Sequence, residues 1–111
     1  MRLVDKLKGK TAVPGNVIGE LCFDYKQTDE NKILCILQAT PFHIEAIMKS
    51  KGLIVKRMNF VQHATIIARE FNIPCVVGVE DIFKFNDNKK RIALIKNIDD
   101  LNSEIEIYEE D

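Results

Sequence analysis

Three apolar runs, separated by two amphipathic segments, occupy the middle of the chain and constrain its fold most. The runs are residues 33–37, 53–55 and 75–79. Continuous apolar runs of this kind are typical of strands buried on both faces of a sheet. The segments between them, 41–50 and 62–71, have helical spacing. A strand–helix–strand–helix–strand order predicts an α/β fold with a parallel or mixed sheet.

Both predicted helices carry an apolar stripe that is expected to face the core. In the first helix, which Thr40 is expected to cap, the stripe consists of Ile44, Ile47 and Met48. In the second helix the stripe follows the i, i+3, i+4, i+7 rule and consists of Ala64, Ile67, Ala68 and Phe71. His63 precedes this second stripe by one position, so it is expected at the leading edge of the helix, which stops at Asn72.

Further strands are expected on both sides of this middle region, at residues 9–13, 17–25 and 91–96. Near the end, Ile105 and Ile107 alternate with glutamates, which predicts an exposed edge strand kept soluble by charge. Residues 109–111 are interpreted as a frayed acidic tail, and the basic run 89–91 as a solvated turn. The length of 111 residues fits one domain, residues 1–111.

Composition excludes several classes of function. The net charge of −1 gives no reason to expect binding to nucleic acid or to an anionic membrane. No apolar stretch approaches the ~20 residues needed to cross a bilayer, and the first residues lack the apolar core of a signal peptide. Cys22, Cys35 and Cys75 form no C-x-x-C pair, so no metal site and no disulfide are expected. Buried reduced thiols predict a cytoplasmic protein.

His63 is the strongest candidate for a residue that takes part in a reaction. A helix start exposes unpaired backbone N–H groups and the positive end of the helix dipole, which together stabilise an anion. An imidazole can also carry a covalent group between partners. A nucleophilic imidazole beside an anion site suggests a phosphoryl group held on nitrogen.

The segment from His63 to Gly78 resembles the phosphohistidine domain of phosphoenolpyruvate-utilising enzymes, the family of phosphoenolpyruvate synthase and pyruvate phosphate dikinase. The family motif reads roughly G-G-x-T-S/C-H-x-A-I-x-A-R-E-x-G-I-P-x-V-x-G. This chain supplies, in motif order, His63, Ile66 or Ile67, Ala68, Arg69, Glu70, Ile73, Pro74, Val76 or Val77, and Gly78. Val13-Pro14-Gly15 with Gly19, and Thr40-Pro41, resemble two further family elements, so the similarity runs from about Gly9 to about Ile95.

The resemblance implies a swivelling β/β/α architecture with a mixed sheet and helices on one side. It also implies that His63 accepts a phosphoryl group and passes it between partner active sites. No stably bound cofactor is expected besides this transferable group. The partner would be a nucleotide-binding or phosphoenolpyruvate-binding domain, on a separate chain or a missing segment. The chain has no G-x-x-x-x-G-K-S/T loop, so it is expected to be incomplete as an enzyme by itself.

Four residues are candidates to bind the phosphate. The Thr40 hydroxyl could donate to it or could instead cap its own helix, and Arg69 could contact it or could tie the helix to a neighbouring loop. Gln62 and Asn59 carry amides that can donate to phosphate oxygens.

The chain also departs from the family motif. Met58 and Asn59 stand in place of two glycines, Val61 in place of a threonine, and Gln62 in place of a serine or cysteine. These departures favour an alternative function, a degenerate, non-catalytic interaction module of the same fold.

Overall fold

A computed structural model of the chain describes residues 1–58 and 62–110. Within these residues the strands are β1 (Arg2–Val13), β2 (Val17–Cys22), β3 (Lys32–Ile36), β4 (Gly52–Val55), β5 (Cys75–Val77), β6 (Ile92–Asn97) and β7 (Asn102–Glu109). The helices are α1 (Ile44–Lys49) and α2 (Gln62–Glu70). Two single 3₁₀ turns, Pro41–His43 and Ile82–Phe85, complete the described elements.

The strands close into a barrel in the order β1, β5, β4, β3, β2, β6, β7, and β7 pairs back to β1. Strands β2, β3, β4 and β5 pair with one another in parallel, whereas the remaining pairs are antiparallel. The predicted α/β class and mixed sheet are confirmed. Because the sheet closes on itself, it forms a single barrel and not separate layers.

Strand β3 shows why the apolar runs predicted buried strands. Ile33 and Cys35 point into the barrel, where they join the interior cluster of side chains. Leu34 and Ile36 point outward and join a second cluster. Both faces of the strand are therefore buried, as the continuous apolar run predicted.

The second cluster places both helices on one side of the barrel, as the resemblance implied. It combines outward-facing residues of β3, β4 and β5 with Ala46 and Ile47 of α1 and with Ala64 and Ala68 of α2. The alanines among them, Ala46, Ala64 and Ala68, are almost fully buried. Three other members of the predicted stripes do not pack there: Ile44, Met48 and Phe71 are exposed. Phe71 lies at the end of α2, where Asn72 adopts a left-handed φ of 55° and the Ile73 N–H donates to the Ala68 carbonyl.

In the C-terminal segment the predicted strand is confirmed, but its predicted exposed edge and the assignment of Glu109 to a frayed tail are wrong. Strand β7 has no free edge, because it pairs with β1 on one side and with β6 on the other. Ile105 and Ile107 are fully buried in the cluster inside the barrel. Glu109 still belongs to β7, and its carboxylate accepts a hydrogen bond from the Arg91 guanidinium at 2.9 Å. Asp111, the last residue of the predicted tail, lies outside the described residues.

The basic run 89–91 is not a uniformly solvated turn either. Arg91 is only 6% exposed. Its guanidinium donates to both carboxylate oxygens of Asp87, to Glu109 and to the Phe85 carbonyl. A buried cation needs such partners because an unpaired one would be very costly. All three cysteines are buried and free, as predicted. No helix in the described part of the chain has the length and apolarity required to span a membrane.

A cleft between the two helices beside an exposed histidine

His63 lies in the first turn of α2, and its side chain is exposed. The next residue, Ala64, is buried in the cluster beneath the helix and fixes the rotation of α2 about its axis. His63 is thus presented to solvent at the helix edge, as its position one residue before the stripe predicted. The N–H groups of this first turn have no carbonyl one turn earlier in the helix, so the helix start attracts negative charge.

A cleft of about 240 Å³ lies beside His63, between α1 and α2. Its walls are mostly apolar, and the lining residues are Ala39, Thr40, Pro41, Ile44, Ile47, His63, Ala64 and Ile67. His63 and Thr40 are the two lining residues with polar side chains. The fold therefore brings together two of the residues that the sequence analysis selected, although they belong to different helical segments.

Thr40 holds the N-cap position of the 3₁₀ turn that precedes α1, with an extended backbone. Its backbone N–H donates to Nδ1 of His43 at 3.1 Å, and its hydroxyl lies 3.2 Å from the same nitrogen. The expected capping position is therefore confirmed. The sequence analysis did not select His43 as part of a phosphate site. A polar side chain three residues after a threonine cap is nevertheless the spacing of a capping box, in which that side chain bonds the backbone N–H of the cap.

Arg69 lies at the other end of α2 and does not line the cleft. Its guanidinium donates to the carbonyl oxygen of Ala12 at 3.3 Å, which ties the end of α2 to β1. This contact is the one expected of a residue that anchors the helix. A role of Arg69 in binding phosphate stays a prediction.

Two candidates remain. Gln62 is the first residue of α2, and Asn59 lies outside the described residues. Met58, which stands where the family motif has a glycine, packs its side chain over Gly78. A Cβ built on Gly78 would lie 2.8 Å from Met58 Cγ and 2.9 Å from Sδ.

Comparison with known proteins adds to this geometry. The model of a protein family described as "PEP-utilising enzyme, mobile domain" matches residues 28–96, a range that contains the cleft and His63. The phosphoenolpyruvate synthase of Pyrococcus furiosus is 32% identical over 83 residues, which cover 70% of this chain and 10% of that protein. The pyruvate, phosphate dikinase of Entamoeba histolytica is 32% identical over 98 residues, which cover 84% of this chain and 11% of that protein. The chain thus spans about a tenth of the length of the relatives it matches.

Among solved structures, the holo-form of aconitase X from Thermococcus kodakaraensis superposes with a TM-score of 0.61. The superposition covers 96% of this chain and 100% of the matched chain, at 19% sequence identity. At that identity the likeness concerns the fold alone.

Proposed function

Because this chain belongs to the family of PEP-utilising enzyme mobile domains, we propose that it is a phosphoryl carrier. In this proposal His63 accepts a phosphoryl group at one active site and gives it up at another. The observation that carries the proposal is the exposed His63 in the first turn of α2, beside a cleft and within the segment that matches the family. A buried imidazole could not reach the active sites of two partners.

The chemistry is a nucleophilic displacement at phosphorus. A ring nitrogen of neutral His63 attacks with its lone pair, and the bond from that nitrogen to phosphorus forms. The bond from phosphorus to the leaving oxygen of the donor breaks, and that oxygen keeps the electron pair. The reverse sequence at the acceptor regenerates the free imidazole. Transfer in two steps allows two distant active sites to share one phosphoryl group.

The surroundings of His63 suit a phosphorylated imidazole. The backbone N–H groups and the dipole of a helix start favour a dianion beside it. In the proposal the Thr40 hydroxyl donates to a phosphate oxygen, and the amides of Gln62 and Asn59 take the place of the family's missing polar donors. Arg69 would have to release the Ala12 carbonyl to take part, so its contribution to phosphate binding is the smallest of the set.

The carrier needs partners that supply and receive the group. The matched relatives are about ten times as long as the aligned region, which supports a partner in a nucleotide-binding or phosphoenolpyruvate-binding domain, on another chain or on a segment of a longer one. Swivelling of the domain between those sites belongs to the same proposal. So does a cytoplasmic location, which three buried free cysteines support.

Potassium phosphoramidate, a small phosphoryl donor, tests the histidine without any partner. Its P–N bond breaks, ammonia leaves, and a P–N bond to the protein forms. We expect one phosphoryl group on the wild type that is stable in base and labile in acid, measured by intact-mass spectrometry, with peptide mapping to distinguish His63 from His43, the other histidine. The variant His63→Gln is expected to lose the label while His43→Asn retains it. Equal labelling of the wild type and His63→Gln would overturn the assignment.

One observation favours the second candidate, a degenerate interaction module that keeps the fold without the chemistry. Met58 stands at a position where the family motif has a glycine, and its side chain packs over Gly78. A side chain there occupies space that a glycine would leave open to a close approach of the backbone to phosphate. If the wild type takes no label from phosphoramidate and none in its own cells, measured by mass spectrometry without acid, the module is the better description.

A further inference from the structure

We infer that His43 is a positioning residue that holds Thr40 ready to donate a hydrogen bond to the phosphoryl group on His63. The inference rests on the proposed carrier function. It assigns a role to the second histidine of the chain, and it explains how Thr40 can serve its own helical turn and a phosphate without losing either.

In the contact between Thr40 and His43, two donors share one acceptor. Both the backbone N–H and the hydroxyl of Thr40 lie within hydrogen-bond distance of Nδ1 of His43, at 3.1 and 3.2 Å. An unprotonated ring nitrogen has a single lone pair in the ring plane and accepts one good hydrogen bond. Because the backbone N–H is fixed by the turn, it takes that lone pair, and the hydroxyl hydrogen is left with a poor acceptor.

The ring of His43 is held in the orientation that this contact requires. It packs edge-on against Tyr25, with the ring centroids 4.9 Å apart. The ring is half-buried, and desolvation lowers the pKa of His43 below its ordinary value, which favours the neutral form with an accepting Nδ1. In this tautomer the proton resides on Nε2.

Thr40 stands in the wall between two cavities. On one side is the cleft of about 240 Å³ that His63 lines. On the other is a pocket of about 290 Å³ that His43 and Tyr25 line. In this inference, rotation of the Thr40 side chain about its Cα–Cβ bond turns the hydroxyl away from His43 and toward the cavity that His63 lines.

A phosphoryl group on His63 offers the hydroxyl hydrogen of Thr40 a stronger acceptor than Nδ1 of His43. Hydrogen bonds to ionised oxygens are about twice as strong as those between neutral groups. The hydroxyl therefore exchanges a shared neutral nitrogen for a charged oxygen. The backbone N–H stays on Nδ1, so the turn that forms the wall of the cleft does not move. His43 thus acts on the phosphoryl group only through Thr40.

The test compares initial rates of His63 phosphorylation by potassium phosphoramidate in seven proteins: the wild type, Thr40→Ser, Thr40→Val, His43→Asn, His43→Gln, His43→Ala and the double variant Thr40→Val/His43→Gln. Thr40→Ser keeps the hydroxyl, and we expect a rate within about threefold of the wild type. Thr40→Val keeps the shape and loses the donor, and we expect a rate about tenfold lower, as for loss of a hydrogen bond to a charged group. His43→Asn places its carbonyl oxygen close to the position of Nδ1 and is expected to retain the rate.

The other two histidine variants separate positioning from packing. His43→Gln is polar and of similar size, but its carbonyl oxygen lies one carbon further out, so we expect the same loss of about tenfold as in His43→Ala. If His43→Ala fails to fold, the contrast between His43→Gln and His43→Asn carries the test. In the double variant with Thr40→Val, His43→Gln is expected to cause no further loss, because both changes remove one contact.

The outcomes separate the inference from the function on which it rests. If the wild type is labelled on His63 and both His43→Gln and Thr40→Val match its rate, the positioning role is wrong and the carrier function stands. Losses that multiply in the double variant would also overturn it, since His43 would then act independently of Thr40. If the wild type takes no label at all, the carrier function fails and the inference fails with it.

Discussion

Arg69, in the last turn of α2, contacts strand β1, where its guanidinium donates to the carbonyl oxygen of Ala12 at 3.3 Å. The two residues are far apart in sequence, and the contact fixes the end of α2 on β1. Since His63 is at the opposite end of the same helix, this bond helps to hold the orientation in which His63 faces solvent.

The substitution Arg69→Gln is expected to lower the free energy of unfolding by about 1 kcal/mol, because it removes a charged donor from a backbone carbonyl. Urea unfolding measures the change, with Lys8→Gln, at an exposed cation on β1, as the matched control. Labelling of His63 by phosphoramidate is expected to persist in Arg69→Gln. Unchanged stability together with lost labelling would show instead that Arg69 serves the phosphate.

The Asp87–Arg91 ion pair predicts a dependence of stability on pH. Hydrogen bonds from Arg91 lower the pKa of Asp87 from 3.8 to about 2. The folded state therefore holds this proton less tightly than the unfolded state, so the stabilisation is complete above pH 3.8 and disappears as the pH falls toward 2. Asp87→Asn is expected to be less stable than the wild type at neutral pH, with a difference that shrinks across that window.

Urea unfolding at a series of pH values measures this difference between Asp87→Asn and the wild type. Glu110→Gln is the control, since its carboxylate is exposed and lies 3.8 Å from Lys90. A difference that stays constant down to about pH 2 would contradict the assignment of the shift to this pair.

Gly78 is expected to tolerate alanine poorly for two separable reasons. Its φ of 71° is left-handed, which costs an L-residue about 1–2 kcal/mol. In addition, the new Cβ would lie 2.8 Å from Met58 Cγ. The free energy of unfolding of Gly78→Ala is expected to fall by more than the backbone strain alone.

The double variant Met58→Ala/Gly78→Ala separates the two causes, with Met58→Ala as its reference. Because Met58 is half-exposed and no longer clashes once truncated, only the backbone strain is expected to remain in the double variant. Thermal and urea unfolding of the four proteins give the comparison. If Gly78→Ala were as stable as the wild type, the left-handed conformation at this position would be wrong.

Closure of the barrel by β7 predicts a large cost for truncating its inward residues. Ile105→Ala is expected to lower the free energy of unfolding by about 2–5 kcal/mol, as for other fully buried isoleucines. Leu101, just before the strand, provides the control because it is 70% exposed. Leu101→Ala is expected to change the free energy of unfolding by less than about 0.5 kcal/mol. If Ile105→Ala and Leu101→Ala had equal effects on stability, the exposed edge strand that the sequence predicted would be the better description.

Several features of the candidate site could be predicted from sequence because they depend on neighbours along the chain. His63 is exposed since it stands one position before Ala64, which the helical period places in the core. The end of α2 at Asn72 is also local, because asparagine tolerates the left-handed conformation that terminates a helix. The hydrogen bond between Thr40 and His43 spans one helical turn and has a recognisable spacing.

Other features could not be predicted because they depend on which distant segments meet. An alternating pattern of isoleucine and glutamate shows that one face of β7 is buried, but it does not show that both edges of the strand are paired, with β1 and with β6. A basic run is interpreted as solvated because the sequence does not show that Glu109, from β7, joins the nearby Asp87 in neutralising Arg91. The meeting of Thr40 and His63 in one cleft depends in the same way on how the two helices pack.

The sequence by itself determined the α/β class, the strands buried on both faces and the exposed position of the histidine, because hydrophobic periodicity records the surroundings of each residue within its own element. Only the tertiary structure decided that the strands close into a barrel, that Arg91 is buried and that a threonine with its own histidine partner forms a wall of the cleft beside His63. These are contacts between segments distant in the chain, and no local pattern specifies the partner.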